Sequence, residues 1–336
     1  MTVLVDSGQE AFQELVEPYR HQLQVHCYRM LGSFHEAEDL VQETYLRAWR
    51  ARDRFEGRTS LRNWLYRIAT NVCLTALSSS SRSRRWMPDA YAPPAGAIEV
   101  PLGKPVTEVA WLEPYPDADL PDVADEAPGP EARYEMRESV QLAFVAAIQQ
   151  LPPRQRAVLL LRDVLGWSAS EAAELLESSV ASVNSALQRA RSSVEARAPH
   201  GDSVESDADA KQRDLVGRYV TAWEASDIES LVTLLREDAV LSMPPWSQWY
   251  RGPDAIRTFL QWGMRAERRF RLVATRANGQ PAFGQYMWRS ENPDGAYEAH
   301  ALIILTLAGS AISAMTIFVD KQLVMEFGLP ARVAAP

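Results

Sequence analysis

Cysteine is scarce in this chain of 336 residues, which has only Cys27 and Cys73. Both lie in apolar, helix-like surroundings without metal-type spacing, so we expect buried thiols in a reducing compartment. Long hydrophobic runs are also missing, because the longest apolar stretch, residues 301–315, is interrupted by Gly309 and Ser310 and is too short to span a bilayer. The N-terminus lacks the basic-then-apolar pattern of a signal peptide. These absences predict a cytoplasmic protein without a metal, a cofactor or a membrane partner.

A strongly basic composition, typical of proteins that bind DNA by themselves, is missing as well, because the net charge is −9. Almost all of this excess lies in residues 88–138, with 3 basic and 12 acidic side chains, whereas residues 1–87 carry +2 and residues 139–198 carry +1. The acidic segment is rich in proline and cannot bury enough apolar surface to fold alone, which predicts an extended linker over residues 88–132. Neither flanking module is basic enough for tight DNA binding without a partner.

An amphipathic helix is indicated over residues 36–49, which read EAEDLVQETYLRAW. Its apolar side, at helical spacing, consists of Ala37, Leu40, Val41, Thr44, Tyr45, Ala48 and Trp49. The opposite side carries Asp39, Gln42, Glu43, Leu46 and Arg50. For an arbitrary helix, an ordinary solvated face is the more common explanation of these charges.

The string DLVQE, followed by a helix with WLYRIA, closely resembles region 2 of bacterial RNA polymerase sigma factors of the small, extracytoplasmic-function type. The resemblance covers residues 12–77 and implies an all-α helical bundle, which we place at residues 8–87. In that family, the face carried here by Asp39, Gln42 and Glu43 docks on the clamp helices of the polymerase's largest subunit. The resemblance therefore implies core RNA polymerase as a partner.

A polar loop with the sequence FEGRTS, residues 55–60, separates the two helices of this region. Sigma factors of this type use the equivalent loop to hold a base flipped out of the −10 element, where pocket contacts and stacking offset the cost of extrusion. A position in the helix core is the competing interpretation for Trp64, whereas the polar Arg58 and Asn71 favour DNA contact. The resemblance implies that the residues nearest to this DNA are Phe55, Arg58, Leu61, Trp64 and Asn71.

A second helical motif follows the linker. Pro153 predicts the start of a helix over residues 154–165, and Ser168 with Glu171 has the pattern of a capping box that opens the next helix. In the helix after that, the inward positions are Val180, Val183, Leu187 and Ala190. The outward positions are Ser182, Ser185, Gln188 and Arg189. This is a helix-turn-helix pattern whose outer face suits base edges in a major groove.

Many helical hairpins share such a pattern, but the string LPPRQRAVLLLRDVLGWSASEAAELLESSVASVNSALQRAR also resembles sigma region 4, which reads the −35 element. We place this all-α domain at residues 133–198, where Arg191 and Arg197 can add phosphate contacts. The two resemblances together imply a sigma factor. Its expected partners are promoter DNA and core RNA polymerase, including the flap region, and an anti-sigma protein is a further candidate.

The acidic linker resembles the connection that, in this family, threads the active-site cleft and RNA exit channel of the polymerase. A chain of net charge −9 is favoured beside the basic walls of such a channel, although a solubilising spacer is the simpler alternative. Within it, Trp111 and Tyr115 are aromatic residues in a polar context. They predict docking of the linker onto a folded surface.

The last segment, residues 208–330, has helical patterns first and strand patterns afterwards. Asp227 and the pair Gly252-Pro253 mark helix starts, and Asn278-Gly279 and Gly309-Ser310 mark turns between strands. The pattern predicts an α+β fold with a curved antiparallel sheet. It resembles the SnoaL-like domains of the nuclear-transport-factor and ketosteroid-isomerase superfold, which form the C-terminal extension of one group of these sigma factors.

That superfold implies a conical pocket. Asp238, His300 and Asp320 are candidates for proton transfer, although a His in a strand is more often an ordinary structural residue. An apolar cavity wall is expected from Met243, Trp246, Trp249, Tyr286 and Trp288. We predict no catalytic residues and a regulatory role in cis, with a ligand-binding or cyclase-like domain as the alternative. A stand-alone repressor or a polyketide-cyclase-like enzyme would each leave half of the chain without a purpose.

Overall fold

The computed structural model describes residues 8–55, 57, 59–79, 84–96, 102–120, 139–195, 208–265, 267–290 and 295–334. The chain forms two units. The helical unit comprises Met1–Arg85 with Leu112–Pro199, and the C-terminal unit comprises Trp86–Trp111 with His200–Pro336. The segment predicted as one linker, residues 88–132, is therefore divided between the two units after Trp111.

Four helices make up the first part of the helical unit: α1 (Gln9–Val16), α2 (Arg20–Leu31), α3 (Phe34–Ala51) and α4 (Leu61–Ser79). Gly32 ends α2 in the left-handed conformation, with φ 71°, and Ser33 then caps α3 by accepting a hydrogen bond from the amide of Glu36 at 3.2 Å. Cys27 and Cys73 are buried free thiols, as the sequence predicted.

The second part contains α5 (Leu142–Gln149), α6 (Pro153–Leu159), α7 (Ala169–Leu175) and α8 (Val180–Glu195). Both hydrogen bonds of the predicted capping box between Ser168 and Glu171 are present at the start of α7. The helix predicted over residues 154–165 is present, but its type changes along its length. The α-helix stops at Leu159 and a π-helical turn, Leu160–Val164, follows, because the Leu165 amide bonds to the Leu160 carbonyl, five residues back.

The prediction of an inward side chain was wrong for one residue of α8. Val180 is 45% exposed, whereas Val183, Leu187 and Ala190 are buried as predicted. Val180 is the first residue of α8, where the helix enters from the turn. Val180 has the helical spacing of a core residue, but it lies before the part of the helix that packs against its neighbours.

The two parts of the helical unit are joined by a buried arginine of α6. Arg156 is fully buried and donates hydrogen bonds to the carbonyl of Met30, to those of Ile148 and Leu151 at 3.0 and 3.2 Å, and to Gln149 at both its carbonyl and its side chain. Met30 belongs to the last turn of α2, whose free carbonyls carry the negative end of the helix dipole. The cation therefore satisfies carbonyls of both helical groups at once.

Residues 112–120 pack on the helical unit near Gly32. Leu112 is buried, and a Cβ added at Gly32 would lie 2.8 Å from its Cδ1 and 3.0 Å from Cδ of Gln149. The Glu113 amide donates to the Gly32 carbonyl at 3.0 Å. The Glu113 carboxylate also pairs with Arg85 at 3.0 Å. The chain thus returns to the helical unit beside the residue at which it left.

The C-terminal unit contains α9 (Ala208–Glu224), α10 (Ile228–Thr233), α11 (Pro253–Gly263) and α12 (Lys321–Glu326) with seven strands. These are β1 (Leu235–Ser242), β2 (Trp249–Arg251), β3 (Arg268–Ala277), β4 (Gln280–Arg289), β5 (Tyr297–Ala308), β6 (Ala311–Phe318) and β7 (Arg332–Val333). The sheet order is β2-β1-β6-β5-β4-β3, and β7 pairs with β5. The prediction of an antiparallel sheet was wrong in one respect: β1 and β6 are parallel, so the sheet is mixed. The sequence pattern missed β1 and β2, and a parallel partner far along the chain leaves no turn signal.

The described residues of the segment 86–111 pack on this unit through backbone and tryptophan hydrogen bonds. The indole of Trp249 donates to the Ala92 carbonyl and that of Trp246 to the Gly103 carbonyl, both at 2.7 Å. The amide of Val106 donates to the Pro245 carbonyl at 2.9 Å. Residues of the predicted linker therefore form part of the C-terminal unit.

Replacing Gly32 with Ala should destabilise the helical unit more than replacing Gly166 with Ala. Both glycines have left-handed backbones, φ 71° and 69°, so each substitution carries a conformational cost of about 1–2 kcal/mol. Only Gly32 is also crowded, by Leu112 and Gln149, which adds about 1–3 kcal/mol of overpacking. We expect a lower urea midpoint for Gly32→Ala by far-UV circular dichroism. Equal midpoints for the two variants would show that the corner at Gly32 is not tightly packed.

Candidate polymerase and promoter interfaces

The predicted polymerase-binding residues lie on the exposed face of α3. Asp39 and Gln42 are exposed, and Glu43 is half-buried with an ion pair to Arg47 at 2.7 Å. Leu46, one turn further on, is 51% exposed, which places one large apolar side chain among polar groups. The opposite face packs into the helical unit through Ala37, Val41, Thr44 and Ala48. The arrangement leaves a polar helix face with an apolar end available to a partner.

The loop before α4 forms a polar cavity of about 480 Å³, lined by Arg54, Phe55, Gly57, Thr59, Trp64, Arg67 and Glu174. The rings of Phe55 and Trp64 are 5.0 Å apart and tilted by 48°, and both are partly exposed. Such a pair offers a stacking surface for a planar base. Leu61 is half-buried at the start of α4, and Asn71 is exposed two turns beyond Trp64 on the same helix face. Arg58 lies outside the described residues.

Sequence reasoning missed Glu174. This residue of α7 lines the cavity and accepts a hydrogen bond from Arg67 at 2.6 Å. The contact joins residues 107 positions apart in the sequence, so no local pattern could have identified it. A carboxylate at the rim has the same sign of charge as a DNA phosphate and opposes entry of a nucleotide.

The outer face of α8 carries the predicted −35 residues. Ser182, Ser185, Gln188 and Arg189 are all exposed on the face opposite the buried Val183, Leu187 and Ala190. Arg191 is exposed too, but its guanidinium makes two hydrogen bonds to Asp163, at 2.7 and 2.9 Å. These bonds raise the pKa of Arg191. Any phosphate contact of Arg191 would use its remaining N–H groups.

The two aromatic residues of the predicted docking element belong to different units. Tyr115 is fully buried in the helical unit, with its ring 4.9 Å from Tyr28 and 5.2 Å from Phe34. Trp111 belongs to the C-terminal unit, where its indole donates to the Val106 carbonyl at 2.8 Å and its ring contacts Tyr91. The single cluster WLEPYPD thus supplies packing residues to both units.

The three candidates for proton transfer lie in different surroundings. His300 lines a cavity of the C-terminal unit, and burial together with the charges of Arg289 and Arg268 lowers its pKa to about 4. Asp238 instead pairs with Arg236 at 2.9 Å, and Asp320 caps α12. Of the predicted cavity residues, Met243 and Trp246 line this cavity, whereas Trp249, Tyr286 and Trp288 do not.

Within the part of the chain that the structure describes, no group of His, Cys, Asp or Glu side chains could hold a metal ion. A search of the same residues for a helix long and apolar enough to cross a membrane found none.

Comparison with known families defines the class of protein. The chain matches Sigma-70 region 2 over residues 15–83, Sigma-70 region 4 over residues 141–194 and the SnoaL-like domain over residues 216–315. It is thus of the sigma-70 class, with a SnoaL-like extension. The ECF RNA polymerase sigma factor SigG of Mycobacterium tuberculosis is 46% identical over 330 residues, which cover 97% of this chain and 85% of SigG. The chain therefore belongs to the ECF RNA polymerase sigma factor family.

Two further relatives mark the extent of the similarity. The ECF RNA polymerase sigma factor SigW of Bacillus subtilis is 31% identical over 183 residues, which cover 54% of this chain and 86% of SigW. The crystal structure of the Mycobacterium tuberculosis extracytoplasmic function sigma factor SigJ matches 95% of this chain and 99% of its own, with a TM-score of 0.59 and 20% identity. The latter similarity shows a shared fold.

Proposed function

We propose that this protein binds core RNA polymerase and directs it to promoters, with the C-terminal unit regulating this activity in cis. Family membership over 97% of the chain is the observation that carries the first part. The exposed faces of α3 and α8 and the aromatic cavity before α4 support it, because each offers the chemistry that its role needs. We infer from this role that the protein acts in the cytoplasm.

The arrangement of the helical unit is a closed state that cannot read both promoter elements. Elements named −10 and −35 lie about 25 base pairs apart, which is roughly 85 Å of DNA. In the helical unit, however, α7 contacts α4 through Glu174 and Arg67, and α6 contacts the end of α2 through Arg156. We infer that the polymerase separates the two helical groups when the sigma factor binds.

The linker explains how the C-terminal unit can oppose this separation. Residues 86–111 would span roughly 90 Å when extended, at about 3.4 Å per residue. While they are held by Trp246 and Trp249, this length is not available to connect separated helical groups. Docking of the segment on the C-terminal unit therefore favours the closed state, and its release favours the open state. Catalysis by this unit is not favoured, because Asp238 and Asp320 are engaged elsewhere.

The polymerase interface is tested by the double substitution Gln42→Ala with Glu43→Ala. We expect at least about tenfold weaker binding of core RNA polymerase, since interface residues of this kind contribute roughly 1–3 kcal/mol. Far-UV circular dichroism should be unchanged, because the face of α3 opposite these residues makes the core contacts. Glu14→Ala is the matched control, an exposed carboxylate on α1. Unchanged affinity of the double variant would rule out this face.

Promoter reading is tested by footprinting the Gln188→Ala and Arg189→Ala holoenzymes. Each should lose protection of the upstream element only, because a good base contact contributes about 1–3 kcal/mol of discrimination. Arg191→Ala is the control, since its guanidinium is engaged by Asp163. It should weaken binding to all sequences alike, if at all. Equal losses of the first two variants on scrambled promoters would mean that they hold phosphates rather than bases.

Regulation in cis is tested by Trp246→Phe with Trp249→Phe, which removes two hydrogen bonds to the docked segment. We expect severalfold higher transcription from the purified full chain at limiting polymerase, because the released segment lets the helical groups separate. Trp288→Phe is the control, since this residue stacks with Arg269 on the sheet. Transcription that is equal to or lower than that of the unmodified protein would contradict an inhibitory role.

A further inference from the structure

The C-terminal unit contains a partly open apolar cavity of about 190 Å³. An engineered cavity of about 150 Å³ in another protein binds benzene, so a small apolar molecule fits here. The apolar wall comes from the sheet, from α11 and from a residue of the docked segment. It includes Met243, Phe259, Leu260, Phe270, Ile317 and Leu102.

The polar groups of the cavity are mainly hydrogen-bond donors. Arg268, Gln285 and His300 lie in its wall together with Trp223. The guanidinium of Arg268 and the side-chain amide of Gln285 can both donate to a ligand with acceptor oxygens. The cavity wall therefore favours a ligand that accepts hydrogen bonds.

The charge at this wall is positive. Arg268 on β3 lies directly opposite Arg289 on β4 in the strand register, and like charges in such positions repel. Burial is the main reason why the pKa of His300 is lowered to about 4, and the charges of the two arginines lower it further. The imidazole is therefore neutral at pH 7. None of the described lining residues is acidic. An anionic group would relieve this repulsion.

The docked segment closes one side of the cavity. Leu102 lines it, and the next residue, Gly103, accepts the indole hydrogen bond of Trp246, which is itself a lining residue. A molecule in the cavity therefore contacts the docked segment and the tryptophan that holds it. Its apolar body buries Leu102 further, which adds to the docking free energy by linkage.

We propose that this cavity binds a small apolar carboxylic acid, whose carboxylate faces Arg268, and that the bound acid holds residues 102–106 on the C-terminal unit. A body of roughly ten non-hydrogen atoms matches the volume. The second half of this proposal rests on the proposed function, in which the docked segment favours the closed state. The binding site itself does not depend on it.

The site is tested by calorimetric titration of the full chain with 3-phenylpropanoate and with its neutral analogue, 3-phenylpropan-1-ol. The acid should bind at least about tenfold more tightly, the gain of a charge-assisted hydrogen bond. Arg268→Gln should remove this preference and leave binding of the alcohol unchanged. Arg269→Gln, the next residue on β3, whose guanidinium stacks with Trp288, should keep it. Near-ultraviolet circular dichroism verifies that both variants are folded.

Equal affinity of the unmodified protein for the two compounds would overturn the carboxylate assignment. Absence of binding of both compounds at millimolar concentration would overturn the site.

The coupling to the linker is tested by hydrogen exchange of the full chain with and without 3-phenylpropanoate. Exchange of the Val106 amide, which bonds to Pro245, should slow severalfold on binding. Leu102→Ala should weaken both compounds by a similar factor, because it removes apolar wall rather than charge. Binding of 3-phenylpropanoate without any change in exchange of the Val106 amide would overturn the proposed coupling, but not the proposed binding site. The transcription assay of the Trp246 and Trp249 variants, in contrast, tests regulation without any ligand.

Discussion

The buried guanidinium of Arg156 is the interaction on which the closed helical unit depends. A buried cation is costly unless every N–H group finds an acceptor, and here the acceptors are carbonyl and amide oxygens. Burial lowers the pKa of Arg156 to about 9, which leaves it charged at neutral pH. Separation of the helical groups takes the Met30 carbonyl away from this cation. Any partner that opens the unit must supply contacts that compensate for this loss.

A second set of contacts surrounds the same corner. Gln149, which accepts a hydrogen bond from Arg156, donates one to the Arg29 carbonyl in α2 at 2.9 Å. Gly32 is the first residue after α2, and its carbonyl accepts a hydrogen bond from the Glu113 amide. The C-terminal end of α2 thus contacts both the second part of the helical unit and residues 112–120. In the proposed function, opening the two helical groups therefore disturbs the contacts that hold residues 112–120.

Local signals predicted much of the structure. The capping box at Ser168, the Asp227 cap, the Gly252-Pro253 helix start and the Asn278-Gly279 turn are each determined by neighbours within a few residues, and all are present. The outward faces of α3 and α8 follow from helical periodicity alone. Strands β1 and β2, the parallel pairing of β1 with β6 and the contact of Glu174 with Arg67 were not predicted. Each depends on partners distant in sequence, for which periodicity carries no information.

The division of the acidic linker was beyond sequence reasoning for a similar reason. Its composition predicts that it cannot fold alone, which remains consistent with a segment that packs on two units. Composition does not tell which surface receives each half. The split falls between Trp111 and Leu112, two adjacent apolar residues that contact different units.

The ion pair between Arg85 and Glu113 brings together the two residues that flank the segment 86–111 of the C-terminal unit. Residues 86–111 are therefore a closed excursion, topologically equivalent to an insertion into the helical unit. Doubling the length of such a loop costs only about 0.6 kcal/mol in closure entropy. Insertions, deletions and substitutions within the excursion can thus accumulate with little effect on the folding of the helical unit. Leu102, the one cavity-lining residue named from this excursion, can therefore be changed without disturbing the fold of the helical unit.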